Sequence, residues 1–227
     1  MENGLNREIE KFLLSLGASD VGFAETPDGV GGLKTAVSIA VKLSDNVIEE
    51  IDGGPTHTYF HHYRTVNAFL DRLILQCGMF LEEKGYKYIP IAASQSINTP
   101  ENTPYSGRYS HKKAAFLAGM GSLGKNNLFL NKKYGPRVRL ATLFTNAPLI
   151  CGEPYNINIC SGCDRCVRAC PAMALTGRDW YPGIDRSEIF DPKACSDYMK
   201  KHFINIGRGV VCGICIKECK WKEDHNR

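Results

Sequence analysis

The chain has 227 residues, 43% hydrophobic and 23% charged, which excludes a disordered or fibrous polypeptide and allows a sizeable core. Its net charge of +4 contains no long run of one sign, too weak a bias to require a nucleic-acid partner. No stretch approaches the roughly 18 consecutive apolar residues of a membrane span, and the N-terminus lacks the apolar segment of a signal peptide. A cytoplasmic protein with no membrane partner is therefore expected.

In chain order, Leu5, Ile9, Phe12, Leu13 and Leu16 recur at helical spacing before Gly17, which predicts an amphipathic helix with a glycine stop. Val21 to Ala24 reads as a short strand, Asp28 to Gly32 as a turn, and Thr35 to Leu43 as a buried strand. A polar connection follows to Pro55. From Tyr59 to Lys84 the apolar positions, including Val66, Leu70, Leu73, Cys77 and Leu81, keep helical period until Gly85. Cys77 lies on that stripe and reads as a core residue. Tyr86 to Ala92 is a strand whose Pro90 places it at an edge or a strand end. Ser94 to Arg108 is a long polar loop and a candidate ligand wall. Ser110 caps a helix reaching Ala118, which runs into AGMGSLGKN; Asn126 to Leu130 and Arg137 to Thr145 are then expected as strands. The expectation is an α+β first domain over residues 1–150, followed by a loop-like domain over 151–227 held by its cysteines.

Ten cysteines are present, and eight of them lie between Cys160 and Cys219. In a reducing cytosol such thiols are ligands or catalysts rather than disulfides. Cys160, Cys163, Cys166, Cys170 and Pro171 spell C-x2-C-x2-C-x3-C-P, the run in which three thiolates hold one 4Fe-4S cluster and the fourth reaches another. Cys212, Cys215 and Cys219 repeat the x2 and x3 intervals, and Cys195 completes the count. The spacing predicts one cluster on Cys160, Cys163, Cys166 and Cys219 and a second on Cys170, Cys195, Cys212 and Cys215. Lys220 stands where a proline would usually follow the last cysteine. Zinc is the competing reading of the C-x2-C pairs. Cys151 is left without a role.

GMGSLGK superficially matches a dinucleotide fingerprint, but a helix precedes it and a strand is expected to follow, the reverse of what that fingerprint needs. Its glycines instead allow close approach of backbone to a flat ligand or to another strand. His57, His61 and His62, with Tyr59, Tyr63 and Arg64, crowd the start of the long helix. They could form a pocket wall, a polar first turn, or a zinc site short of a third ligand. Arg137 and Arg139 alternate on a strand, so both face one side, where they could anchor an anion or lie exposed.

The segments LGASDVGFA, AGMGSLGKNNLF, CSGCDRCVRACPAMAL, DPKACSDY and CGICIKEC occur in an order that resembles the cobalamin-dependent epoxyqueuosine reductases and the related reductive dehalogenases. The resemblance implies a nitroreductase-like domain that holds a corrinoid, joined to a ferredoxin-like module with two 4Fe-4S clusters. It implies cofactor-binding roles for Tyr63, Arg64, His111, Gly121, Ser122, Leu123, Asn127, Asp197 and Gly213. Tyr105 falls where epoxyqueuosine reductases carry an aspartate proton donor; reductive dehalogenases use a tyrosine. Tyr105 is thus the expected donor, with Tyr109 and His111 behind it. No D-x-H-x-x-G segment supplies an axial histidine, which implies a base-off cofactor. A ferredoxin or flavodoxin would be the electron donor and a small molecule or nucleoside the substrate. Epoxyqueuosine reductases continue into a helical-repeat module resembling a tRNA-binding domain, whereas this sequence stops shortly after Cys219, which puts a tRNA substrate in doubt. The rival readings are an iron-sulfur electron carrier and an activator that reduces the corrinoid of another protein.

Overall fold

A computed structural model describes residues 4–97 and 105–221; the middle of the polar loop, residues 98–104, lies outside the described residues. In chain order the elements are α1 (Gly4–Ser15), β1 (Asp20–Val30), β2 (Leu33–Lys42), α2 (Asp45–Glu49), α3 (His57–Glu83), β3 (Tyr88–Ile91), α4 (His111–Leu117), β4 (Gly121–Leu123), β5 (Phe129–Asn131), β6 (Val138–Thr145), α5 (Arg165–Arg168), α6 (Arg186–Ile189), α7 (Pro192–His202) and α8 (Ile214–Lys217). This is the expected mixture of helix and strand.

The chain forms two compact units that do not follow the composition seam near residue 150. Met1–Lys42, Val66–Gly121 and Arg139–Tyr155 make the first; Leu43–Thr65, Ser122–Val138 and Asn156–Arg227 make the second. The helix α3 and the glycine segment each contribute residues to both.

In the first unit a sheet has the order β1-β2-β6-β3. Strands β1 and β2 pair antiparallel, with Phe23 opposite Val37, and a register shift between Glu25 and Val30. The first strand is longer than its sequence suggested because the hairpin turns at Gly31 and Gly32, not at the earlier Asp28. Val30 pairs with Leu33, and both glycines have positive φ (59° and 79°), as a two-residue turn with two left-handed positions demands. Interior strand β2 is buried continuously from Ala36 to Val41, since it has neighbours on both sides. Pro90 pairs with Leu143 on β3, an edge strand that tolerates its missing N–H, as the sequence predicts.

Ala24, Ala36, Ile91, Ala114 and Phe144 form a core cluster on this sheet. Helix α1 buries Ile9 and Leu13 and stacks Phe12 on Phe80 of α3 at 4.9 Å. Cys77 is fully buried on α3, and burial pushes its thiol up to about 12. It is the core residue its stripe suggested.

The second unit has little sheet, and among the described residues its helices are short apart from α7 and the first turns of α3. Helix α7 starts at Pro192, is capped by the Asp191 carboxylate accepting from the Ala194 N–H, and ends on Lys200, Lys201 and His202. Each feature favours a helix. Among the described residues no helix is long and apolar enough to cross a membrane.

Candidate functional site

The second unit contains all eight cysteines of the two sequence sets. A turn from Cys160 to Cys163 closes through the Cys163 N–H and the Cys160 carbonyl at 2.9 Å, and α5 then carries Cys166. Cys195 is presented by the first turn of α7, and Cys215 by α8. All ten cysteines are free thiols.

The thiols of the two sequence sets lie near enough to act on one another. Burial chiefly raises Cys166 to about 11 and Cys219 to about 12; Cys160 and Cys163 add to both shifts, and Cys166 adds to that of Cys219. In the other group, burial raises Cys195 to about 11, with Cys212 and Cys170 next, and lifts Cys215 well above its ordinary value, with Cys212 and Cys195 adding. Cys166 also acts on Cys215, so the two quartets adjoin. Six of the eight thiols are pushed up, all with burial first. Crowded, buried thiols resist ionisation unless a cationic centre takes their charge. That donor set fits iron-sulfur clusters, whose ligands are thiolates.

Among the described residues no three His, Cys, Asp or Glu side chains gather closely enough to hold a single metal ion. A tetrahedral zinc needs such tight convergence, whereas a four-iron cube spreads its ligands over its corners.

The glycine segment meets these cysteines within the same unit. The Lys125 N–H donates to the Cys160 sulfur at 3.4 Å, and the Asn126 amide donates to the Cys215 carbonyl at 3.4 Å. Gly124 permits this approach: a Cβ there would lie 2.9 Å from the Leu130 Cδ1, 2.9 Å from the Asn126 Oδ1 and 3.2 Å from the Cys160 Sγ. Its glycine therefore serves close packing against a cysteine, not a phosphate. Sequence reasoning passed over Lys125 and Asn126; the only signal was a polar pair immediately after a glycine spacing.

The residues expected around a corrinoid come from both units. Tyr105, His111 and Gly121 belong to the first; Tyr63, Arg64, Ser122, Leu123, Asn127, Asp197 and Gly213 belong to the second. The buried Ser122 hydroxyl has no hydrogen-bond partner among the described residues, which leaves it free to meet a ligand. Tyr63 is half-buried beside Tyr59, while Arg64 is exposed, lies over Phe60 at 5.5 Å and reaches the Arg208 carbonyl at 3.5 Å. Leu123 is partly buried and ends β4, and Asn127 has a φ of 54° in the turn that follows. Gly213 starts α8, where a Cβ would strike Ile51 at 2.6 Å and Tyr59 at 2.8 Å, so packing alone explains it. Asp197 is exposed and paired with Lys193 at 2.5 Å. Nothing in its surroundings marks it for a cofactor.

His111 is engaged differently from the expectation. Its Nε2 lies 2.9 Å from the Ala92 carbonyl, which can only accept, so Nε2 carries the proton; Nδ1 accepts from the Thr142 hydroxyl at 2.8 Å. Burial lowers its pKa and keeps the ring neutral. With both nitrogens engaged, His111 ties Ala92, the residue after β3, to Thr142 of β6. Tyr109 donates to Asp28 at 3.1 Å and packs edge-on against Phe144 at 4.8 Å, so its hydroxyl is also held within the fold. Tyr105 is 37% exposed and has a φ of 63°, an uncommon conformation for a non-glycine residue that costs about 1–3 kcal/mol. Strain of this kind concentrates at functional positions.

The two arginines also differ from the exposed or anion-binding face expected. Arg137 is nearly buried, pairing with Asp45 at 3.0 Å and Glu49 at 2.5 Å, while Arg139 donates to Asn67 at 2.9 Å. Glu49 also takes the Lys217 ammonium of α8 at 2.5 Å, and the hydrogen bonds from Lys217 and then Arg137 hold its carboxyl down at about 2. A cavity of about 330 Å³ lies here, with Glu49, Asp52, Lys217 and Glu218 on its wall. None of the expected corrinoid residues lines it. At the start of α3, His62 accepts the Ser44 N–H at 3.0 Å through Nε2, and burial lowers its pKa; it ties the helix down rather than binding metal.

Fold and thiol arrangement together define a mixed α/β protein built around a cysteine centre. Comparison with known proteins places it among relatives of reductases: the chain is related to the tetrachloroethene reductive dehalogenases and the epoxyqueuosine reductases. It is 26% identical over 199 residues to a tetrachloroethene reductive dehalogenase of Desulfitobacterium hafniense, covering 81% of this chain and 31% of that protein. An epoxyqueuosine reductase of Cyclobacterium marinum is 37% identical over 110 residues, 47% of this chain and 35% of the relative. Among solved structures, a catabolic reductive dehalogenase in complex with 3-bromo-4-hydroxybenzoic acid superposes with a TM-score of 0.75 at 18% identity, covering 94% of this chain and 31% of that one. A selenomethionine-labelled epoxyqueuosine reductase superposes with a TM-score of 0.67 at 18% identity, covering 97% and 66%. No family model matches the chain. It spans about a third of the length of these two curated relatives.

Proposed function

We propose that this chain is an iron-sulfur and corrinoid-dependent oxidoreductase similar to epoxyqueuosine reductase. In this reading a nitroreductase-like, corrinoid-binding domain over residues 1–150 is followed by a ferredoxin-like module over 151–227. The observation that carries the reading is the crowding of buried thiols from the two cysteine runs, Cys160 and Cys163 acting on Cys166, and Cys212 and Cys170 on Cys195. Relatives named as reductases support it.

The residues divide the work. Cys160, Cys163, Cys166 and Cys219 would hold the outer cluster, since Cys163 is exposed; Cys170, Cys195, Cys212 and Cys215 would hold the inner one. Bound, the clusters would supply one-electron transfer and the corrinoid a strongly reducing metal centre. Ser122 offers a buried hydroxyl to the cofactor, and His111 holds β3 and β6 in register. Tyr105 is the proposed proton donor to the reduced substrate, through its phenol hydroxyl. The substrate is a small molecule or nucleoside, and the electron donor a ferredoxin or flavodoxin acting in the cytoplasm.

Anaerobic purification and reconstitution with iron, sulfide and cobalamin test this directly. About eight irons and one cobalt per chain are expected. Eight irons without retained cobalt would replace the reading by an electron carrier, or by an activator of another protein's corrinoid. In the loaded protein Tyr105→Phe should lower turnover of epoxyqueuosine or an organohalide by about 10²–10⁴-fold with metal content unchanged. Undiminished turnover would remove Tyr105 as donor.

A further inference from the structure

Lys125 lies in the glycine segment, yet its contacts are with the cysteine centre. Gly124 brings the chain against Cys160, so that the Lys125 N–H donates to the sulfur at 3.4 Å. Its side chain is only 12% exposed, and its ammonium is fixed 3.3 Å from a carboxylate oxygen of Asp179, whose own side chain is 45% exposed. A charge held in a nearly buried position acts through a lower effective dielectric than one facing water. The ammonium therefore outweighs its more exposed partner at the thiols nearby.

Hydrogen bonds to cluster sulfurs and local charge are the means by which a protein sets a cluster's potential. Reduction adds one negative charge, which a neighbouring cation stabilises and a neighbouring carboxylate opposes. We propose that Lys125 and Asp179 form an electrostatic pair that tunes the cluster on Cys160, Cys163, Cys166 and Cys219, the lysine favouring the reduced form and the aspartate restraining it. This rests on the cluster reading above. The lysine acts through the cluster's environment and touches no substrate; it is a tuning residue, distinct from the proposed donor Tyr105.

The pair predicts shifts of opposite sign. In an anaerobic redox titration followed by electron paramagnetic resonance, the reconstituted protein should show two reduction waves. Lys125→Met keeps the backbone N–H and most of the side-chain length but removes the charge. It should lower one wave by up to roughly tenfold in the reduction equilibrium, which is about 59 mV for one electron, and leave the other in place. Lys125→Arg should restore the wave, and Asp179→Asn should raise the same wave by a smaller amount. A Lys125→Met protein with full iron and both waves unmoved would overturn the proposal. So would an Asp179→Asn wave that stays put or falls, which decides the matter even if the lysine variant fails to retain iron. A wild-type protein with no reducible cluster would fail at an earlier point, and would sink the cluster reading together with this inference.

Discussion

The two compact units are held in different ways. In the first, Ala24, Ala36, Ile91, Ala114 and Phe144 make an aliphatic and aromatic core cluster. In the second, the interior includes crowded thiols whose ionisation burial opposes. Hydrophobic burial is indifferent to what is bound, whereas thiols of this kind gain most when a metal centre takes their charge. The comparison sets a unit held by apolar burial against one whose thiol-rich interior would, in the reading proposed above, be completed by a metal centre.

The largest effect expected follows from withholding iron. Amide exchange protection in the cysteine-bearing segments should collapse while β1, β2 and β6 stay protected; equal protection with and without iron would erase the distinction between the units. Cys215→Ser should act the same way through the inner quartet and reduce iron by about half or more. Conversely, Phe144→Ala empties part of the first core and should cost about 3–5 kcal/mol in denaturant melts, with iron content preserved. A smaller loss, about 1–3 kcal/mol, is expected for Gly124→Ala, whose new methyl crowds Leu130 and the Cys160 sulfur, and here iron retention should fall with stability. Smallest is Glu49→Gln. The Glu49 carboxyl is held at about 2 against an ordinary value of 4.5, so its contribution is complete above the ordinary value and disappears as pH falls through about 2. Because its side chain is 45% exposed, screening limits that contribution to about 1 kcal/mol. Melting curves of wild type and variant should converge at the acid end; a constant gap across the range would remove Glu49 from the acid sensitivity of the second unit.

Much of the first unit was legible because its signals are local. Helical period located α3 to within two residues at its start, a glycine marked its end, and Pro90 named an edge. The length of β1 was not legible, since its turn chemistry is spread over Asp28 to Gly32 and only pairing shows which glycines turn. In the second unit, cysteine spacing revealed the two groups but little of what surrounds them. Helix α7 had readable ends in Asp191, Pro192 and the basic run at Lys200, yet its polar sequence lacks an apolar stripe strong enough to announce it. The ion pairs of Arg137 and the contact from Lys125 to Cys160 join residues 35 or more positions apart, where no local pattern can point. His111 was misleading for a related reason. A polar side chain next to a suspected site looks available until its partners, Ala92 and Thr142, are known.

The interleaving of the units bears on whether such a centre can be moved. A stretch cut at residue 151 would carry all eight cysteines of the two sets, yet it would leave behind the Lys125 N–H that reaches Cys160, the Asn126 amide that reaches the Cys215 carbonyl, and the Glu49 carboxylate that fastens α8. Such a fragment is a cassette in its motif but not in its supporting bonds. Moving the cysteines alone would separate them from residues that hold them in place.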